Sequence, residues 1–172
     1  IVAGGSTLIA IVCGIPAAYA LARMKFKGKK IFLGIVIISQ MFAPVVLLVG
    51  IYKIMSTFGM TDSLVGLVFI NAAFNQAFAI WLLRGTFLSI SPEMEQAATI
   101  DGCSKYQIYS RIILPLMKPS IVTTVIIQFY WKWDDYMGPL LYLSRPQSYT
   151  VSIAIKLFAD SASTTDYGAM FA

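Results

Sequence analysis

The residues best suited to chemistry lie in a polar segment, 91–119, between two apolar stretches. Two carboxylates open the segment, an Ala-Ala and an Asp-Gly pair occupy its centre, and a Leu-Pro pair leads back into apolar sequence. The candidates are Glu93, Glu95, Gln96, Ala97, Ala98, Asp101, Gly102, Leu114 and Pro115. Polar and small side chains on a short helix favour contact with another protein. We therefore expect a docking surface, the alternative being an amphipathic elbow on the lipid headgroups.

Capping residues predict two short helices within this segment. Ser91 is a good N-cap and is followed by proline and acidic residues, which favour the positive end of a helix dipole. Gly102 suits the left-handed residue that ends such a helix. Ser104 fits the cap of a second helix that runs through Arg111, and Pro115 marks the entry into the next apolar stretch.

Most residue types used in enzyme active sites are missing. The chain has no histidine, and Cys13 and Cys103 fall in different environments, so we expect no zinc site, no disulfide and no histidine-based catalysis. The phosphate-binding pattern G-x-x-x-x-G-K-[ST] is also absent, so the chain should not bind ATP through such a loop. We predict no catalytic residue, no metal and no cofactor.

Composition predicts a polytopic, all-helical membrane protein. Apolar residues make up 58% of the chain and charged residues 12%, against roughly 25% charged in a soluble domain, and the mean hydropathy is +0.77. About 20 apolar residues cross a bilayer as a helix. We predict spans over about residues 1–22, 31–52, 63–83 and 112–133, with Pro44 kinking the second.

The ends of the chain read as those of a partial transmembrane domain covering 1–172. The first residue is already inside an apolar stretch, and a further span is expected to start at about residue 166. We therefore expect at least one more helix beyond the C-terminal end.

Charge predicts the orientation. The loops 23–30 and 84–118 carry nine basic and three acidic residues, whereas the opposite side carries four basic and five acidic ones. The positive-inside rule then puts both loops in the cytoplasm, and the loop 84–111 becomes a cytoplasmic docking loop. The net charge of +5 is thus a sign of topology, and we expect no nucleic-acid partner.

Polar residues within and at the ends of the spans are candidates for a substrate path, because hydrocarbon penalises them unless they face water or a partner. The candidates are Asn71, Asn75, Gln76, Gln128, Trp131 and Asp135. Hydrogen bonding between helices is the alternative interpretation for the amides. Trp131 and Asp135 belong to an aromatic and acidic cluster that suits a sugar ring, but tryptophan and tyrosine also gather at membrane interfaces.

Residues 93–119 resemble the EAA loop of permease subunits of binding-protein-dependent ABC importers. Gln96-Ala97-Ala98, Gly102 and Ile112-Ile113-Leu114-Pro115 stand at matching places. Asp101, Pro119 and residues 18–28 (AYALARMKFKG) are similar to the carbohydrate branch, in particular to its maltose-type second permease subunit.

The resemblance implies a type I importer permease in the bacterial inner membrane. Its partners would be a dimer of ATP-binding subunits that hydrolyse ATP, a second permease subunit, an extracytoplasmic solute-binding protein, the lipid bilayer and a carbohydrate substrate. The nine docking candidates would then contact the ATP-binding subunit, so that its closure switches the path between inward and outward access.

One departure from the family pattern concerns charge. The glutamate of the family's Glu-Ala-Ala is Gln96 here, and Glu95 points roughly 100° away on a helix. We therefore expect docking to persist with altered electrostatics. The alternatives are an importer permease for a non-sugar solute and an ATP-independent secondary transporter, although carriers of that type often have an intramembrane charge that the apolar windows lack.

Overall fold

The computed structural model describes residues 1–42, 44–145 and 148–161, and the predicted start of a span near residue 166 lies outside them. Within these ranges every regular element is helical and no strand occurs. The helices are α1 (Val2–Arg23), α2 (Lys29–Met41), α3 (Pro44–Thr57), α4 (Leu64–Ser89), α5 (Pro92–Ile100), α6 (Lys105–Gln107), a π-helix (Ile108–Ile113), α7 (Leu114–Trp133), α8 (Met137–Tyr142) and α9 (Val151–Ser161). The prediction of an all-helical bundle is confirmed.

Helices α1 and α4 form the centre of the bundle and pack along their whole lengths. Small residues permit the close approach: a Cβ added at Gly14 would lie 3.1 Å from the Ala79 Cβ, and one added at Gly5 would lie 3.2 Å from a Val68 methyl. Close packing of small residues is the main source of association between helices in lipid. Three stretches are long and apolar enough to cross a membrane, namely 2–23, 64–89 and 105–133.

The apolar window 31–52 is divided in two. Helix α2 and residues 46–57 of α3 meet at 106°, and Pro44, which has no amide hydrogen to donate, stands at the start of α3. The sequence predicted a kink at this proline, and the bend is far larger than an ordinary kink. The bundle has a fourth span if this bent pair crosses the membrane as one unit.

The segment before α7 differs from the predicted short helix that ends near Arg111. Helix α6, the π-helix and α7 follow one another without a break from residue 105 to residue 133. The Leu114 amide donates to the Tyr109 carbonyl, five residues back, as in a π-turn. Pro115 lacks an amide hydrogen, and the wider turn ends directly before it.

Two apolar clusters of buried residues lie at opposite ends of the bundle. The first cluster joins the ends of α1, α4 and α7 to α5 and consists of Ala18, Leu83, Phe87, Ala98, Ile108, Ile113 and Met117. The second cluster consists of Val2, Met55, Leu67, Tyr142 and Leu143. The first cluster fixes the polar segment to the bundle, and the second closes the other end.

Hydrogen bonds bring the two basic loops to one end of the bundle, as their charge predicted. Arg84 Nε donates to the Leu21 carbonyl at 3.4 Å, and Arg23 Nη2 donates to the Ile90 carbonyl at 2.6 Å. At the opposite end, Asp62 Oδ1 accepts from the Ser144 amide at 3.0 Å, which ties the α3–α4 connection to the residues after α8.

Candidate coupling site and translocation path

Helix α5 has a defined beginning and end. Ser91 Oγ accepts from the Glu93 amide at 3.2 Å, which caps the first turn. At the other end the Gly102 amide donates to the Thr99 carbonyl at 3.1 Å, and the Cys103 amide donates to the Ala98 carbonyl at 3.0 Å. These two bonds form a Schellman motif around Gly102, whose φ is +83°. The predicted cap and stop are both present.

A capping box starts the next helix. Ser104 Oγ accepts from the Gln107 amide at 3.3 Å, and the Ser104 amide donates to Gln107 Oε1 at 2.8 Å. Only one residue, Cys103, therefore separates the stop of α5 from the cap of α6. The turn between them is fixed by four hydrogen bonds, which makes the segment 91–107 a defined unit.

Ala98 seats this unit on the bundle. It is 5% exposed and packs in the first cluster with Phe87, Ile108 and Met117. Successive residues on a helix are about 100° apart, so Glu95, three residues earlier, shares the face of Ala98. Gln96 and Ile100 lie two positions away from Ala98 and point to the other side.

Glu95 is turned towards the bundle and pairs with Arg23 at the end of α1. Glu95 Oε1 lies 2.7 Å from Arg23 Nε, and the two side chains are only 21% and 14% exposed. The Glu95 carboxylate, the acidic group nearest in sequence to the Ala-Ala pair, is thus already paired with a residue of the same chain. Its pairing with Arg23, 72 positions earlier, had no signal in the sequence.

The other predicted docking residues divide into an outer and an inner set. Glu93, Gln96, Ala97, Asp101, Gly102 and Pro115 are exposed, whereas Leu114 is half-buried. Two large apolar side chains beside them were not among the residues predicted from the sequence: Ile100 is 86% exposed and Tyr106 is 77% exposed. Helix geometry provides a signal for Ile100. It lies roughly 200° around the helix from Ala98, so it points outward when Ala98 is buried.

We expect Gly102→Ala to lower the free energy of unfolding by roughly 1–2 kcal/mol, since a Cβ at positive φ is strained. An added Cβ would meet nothing within 4 Å, so strain of the backbone is the only penalty. Gly85→Ala is the matched control, because Gly85 lies inside α4 with equally open space. There alanine should stabilise by roughly 0.5–1 kcal/mol. Thermal unfolding in detergent measures the stability of both variants. Equal changes in the free energy of unfolding would contradict the left-handed conformation of Gly102.

The candidate path residues lie mainly between α4 and α7. Gln128 is fully buried and its Nε2 donates to the Asn75 carbonyl at 3.0 Å. Gln128 Oε1 and Asn75 Nδ2 are buried without a partner among the described residues. A polar group without a hydrogen bond costs free energy in an apolar interior. This seam therefore has spare hydrogen-bonding capacity.

Asn71 and Asp135 line one small cavity. Its other walls include Lys132 and Tyr142, and its volume is about 70 Å³. Asp135 accepts from the Gly138 amide at 3.2 Å and lies 3.5 Å from Lys132 Nζ. Since one water molecule needs about 10–15 Å³ of such space, this cavity has room for water molecules beside Asp135.

Gln76 lies apart from this seam, whereas Trp131 packs across the contact between α4 and α7. The Gln76 amide, oriented to satisfy both of its atoms, donates to the Ala10 carbonyl at 3.3 Å and accepts from the Gly14 amide at 3.0 Å. It therefore joins α4 to α1. Trp131 is half exposed and packs on Phe78, with ring centres 4.7 Å apart.

A family model described as "Binding-protein-dependent transport system inner membrane component" matches residues 10–172. The chain belongs to this family of transport permeases. A multi-pass location in the plasma (inner) membrane follows from this assignment and from the apolar helices. The family's role as a membrane channel subunit also agrees with the absence of catalytic motifs from the sequence.

Several curated proteins are similar to the permease. A probable ABC transporter permease protein, YurM of Bacillus subtilis, is 36% identical over 156 residues, which cover 91% of this chain and 52% of that protein. The trehalose transport system permease protein SugB of Mycobacterium tuberculosis is 32% identical, with coverages of 91% and 57%. The diacetylchitobiose uptake system permease protein DasC of Streptomyces coelicolor is 30% identical, with coverages of 89% and 55%.

A solved structure shares the fold of the permease. It is the crystal structure of a bacterial ABC transporter involved in the import of the acidic polysaccharide alginate, with a TM-score of 0.80 at 23% identity. The match covers 97% of this chain and 58% of that one. The permease chain spans about half the length of the relatives described above.

Proposed function

We propose that the full-length protein is the permease subunit of an ATP-driven sugar importer and docks an ATP-binding subunit through the loop 84–111. The observation that carries the proposal is the two-sided character of α5. Ala98 and Glu95 hold one side to the bundle, while Gln96, Ala97 and the apolar Ile100 stand exposed on the other. Ile100 and Tyr106, two large apolar side chains exposed on one otherwise polar and well-capped segment, suit the surface of a protein partner.

The proposed mechanism converts movement of the partner into alternating access. Closure of the ATP-binding dimer would push α5. Helix α5 would pass the movement to α4 through the apolar cluster around Ala98, and to α7 through the continuous helix that starts at residue 105. Such a movement is a rigid-body change in which packed elements shift together. ATP hydrolysis belongs to the partner, and this chain supplies the lever.

The polar seam between α4 and α7 is proposed as this chain's share of the path. Asn71, Asn75 and Gln128 supply buried amides, and Asp135 lines a small cavity beside them. A second permease subunit facing these helices would complete the path. An extracytoplasmic binding protein would deliver the solute, as the name of the family implies.

A carbohydrate is the proposed solute. Relatives whose names refer to trehalose and diacetylchitobiose transport support a sugar. Asp135 and the half-exposed Trp131 are the groups of this chain that suit hydroxyls and a ring face. A membrane-interface role for Trp131 is the alternative, and a permease for another solute is the alternative for the chain.

We expect Asp135→Asn to lower sugar uptake about tenfold, which corresponds to losing one charge-assisted hydrogen bond of about 1.5 kcal/mol. The amide keeps an oxygen that can accept from the Gly138 amide, so the hydrogen bond at the start of α8 is retained. Asp134→Asn is the matched control, because Asp134 is exposed on the same turn. Uptake of labelled trehalose and diacetylchitobiose into cells measures both. Equal uptake by both variants would remove Asp135 from the path.

The docking part of the proposal is tested by affinity purification of the tagged full-length protein from its own membranes in mild detergent. Recovery of a stoichiometric ATP-binding subunit, a second permease and ATPase activity is expected. Recovery of the permease alone, from membranes in which its genomic neighbours are expressed, would refute the proposed docking and favour an ATP-independent transporter.

A further inference from the structure

Arg23 connects three segments of the chain at the coupling end. It is the last residue of α1, its Nη2 donates to the Ile90 carbonyl just beyond α4, and its Nε pairs with Glu95 of α5. The 2.6 Å distance to the Ile90 carbonyl is that of a charge-assisted hydrogen bond. The 2.7 Å distance to Glu95 is that of a close ion pair, in which the Nε hydrogen is not aligned with the carboxylate oxygen. One guanidinium thus holds together the ends of two apolar helices and the proposed coupling helix.

Arg23 is not needed as the cap of its own helix. The carbonyls at the end of α1 have other cationic partners: Arg84 Nε donates to Leu21, and Lys29 Nζ donates to Ala22 and Met24 at 3.3 Å each. Because these orphan carbonyls are satisfied, the Arg23 side chain is free to reach across to α5.

Packing around the pair limits access of water. Tyr19, one turn before Arg23, has its ring 5.6 Å from that of Phe87 and 4.9 Å from that of Tyr109. Ala98, one turn after Glu95, is buried in the same region. A partly buried ion pair is weakly screened by salt, and losing one partner leaves a charge in an apolar setting.

We propose that the Arg23–Glu95 pair is the positioning link through which movement of α5 reaches α1. The inference rests on the proposed function and adds a second route to the lever, besides the covalent connections to α4 and α7. Helix α1 in turn packs along α4 and is bonded to Gln76 of that helix. The pair therefore makes α5 and α1 move as one body, and Glu95 contributes nothing directly to the partner.

The test is the distance between α5 and α1 as ATP binds. The full-length permease, assembled with its partner subunits in lipid nanodiscs, carries spin labels at Thr99→Cys and Val12→Cys. Cys13, Cys103 and any cysteine outside residues 1–172 are replaced by serine. Distance distributions are recorded without nucleotide and with ATP and vanadate. The variants are Arg23→Gln, Glu95→Gln and the double variant, and Lys25→Gln is the control, since Lys25 is exposed in the same loop.

In wild type and in Lys25→Gln we expect one narrow distance that ATP and vanadate leave unchanged. Each single variant should lose that narrow distance and gain an ATP-dependent shift, because α5 then moves without α1. The double variant should resemble the single ones, since the two residues act through each other. If Arg23→Gln does not accumulate, the isosteric Glu95→Gln decides alone. A general loss of stability would lower the unfolding temperature without making the distance depend on ATP.

Two results would overturn the link. One is a narrow, ATP-independent distance in Arg23→Gln and Glu95→Gln, and the other is an ATP-dependent shift already in wild type. Loss of the ATP-binding subunit from Glu95→Gln, with Arg23→Gln intact, would also overturn it by making Glu95 a direct contact. A wild-type complex without any ATP-binding subunit would instead refute the proposed function, and the link with it.

Discussion

An Ile100→Asp variant of the full-length protein is expected to bind its ATP-binding subunit at least about thirtyfold more weakly than wild type, and Tyr106→Asp equally so. These side chains are 86% and 77% exposed, so the bundle does not need them for packing. A partner groove that covers them would have to bury a carboxylate instead, which costs about 2 kcal/mol or more at a hot spot. Titration of the purified permease with ATP-binding subunit measures the affinity.

Phe58→Asp is the matched control for both substitutions. Phe58 is 74% exposed and lies at the opposite end of the bundle, near the connection that Asp62 holds. The same change from an apolar to an acidic side chain should leave the affinity there unaltered. All three variants should unfold at the wild-type temperature. An unchanged affinity in Ile100→Asp and Tyr106→Asp would mean that the partner does not dock on this face of the loop.

Ala98→Trp is expected both to destabilise the protein and to abolish capture of the ATP-binding subunit. Ala98 is 5% exposed among Phe87, Ile108 and Met117, so an indole ring has no space unless α5 lifts from the bundle. Overpacking of a well-packed core typically costs 1–3 kcal/mol. A displaced α5 would also lose the alignment of its exposed face. Thermal unfolding and co-purification of the subunit measure the two effects.

Ala97→Trp distinguishes the packing of α5 on the bundle from its contact with the ATP-binding subunit. Ala97 is the neighbouring residue but is exposed, so a tryptophan there meets no part of this chain's core. It should keep the wild-type unfolding temperature and block the subunit sterically. If Ala97→Trp lowered the unfolding temperature as far as Ala98→Trp, the inward and outward faces of α5 would be assigned wrongly.

The presence and the starts of α1 and α4 could be read from the sequence because hydrophobic length is a strong signal in membrane proteins, whereas α4 continues six residues beyond its predicted end. Uncharged windows predicted spans over 1–22 and 63–83, and the helices run over 2–23 and 64–89. The bend between α2 and α3 was anticipated only as a kink at Pro44, because its angle depends on packing. The π-helix had no signal except Pro115, since proline permits several local adjustments.

Local capping could likewise be predicted, whereas contacts between distant residues could not. Ser91, Gly102 and Ser104 act within three residues of themselves, so their roles follow from residue type. Arg23 and Glu95 each had a local explanation. Arg23 was one of the basic residues that predict the orientation in the membrane, and Glu95 was a favourable charge at the positive end of the α5 dipole. Neither explanation reveals that folding brings them to 2.7 Å from each other.

The cytoplasmic docking of the loop 84–111 is tested most directly by cross-linking from single cysteines. In the full-length protein with Cys13, Cys103 and any cysteine outside residues 1–172 replaced by serine, Gln96→Cys and Thr57→Cys present exposed thiols at opposite ends of the bundle. Membranes that contain the assembled complex are treated with a reagent that carries one maleimide and one amine-reactive ester, so that the second bond forms with a lysine of the partner. We predict a cross-link to the ATP-binding subunit from position 96 and none from position 57. A cross-link from position 57 and none from position 96 would contradict the docking role of this loop.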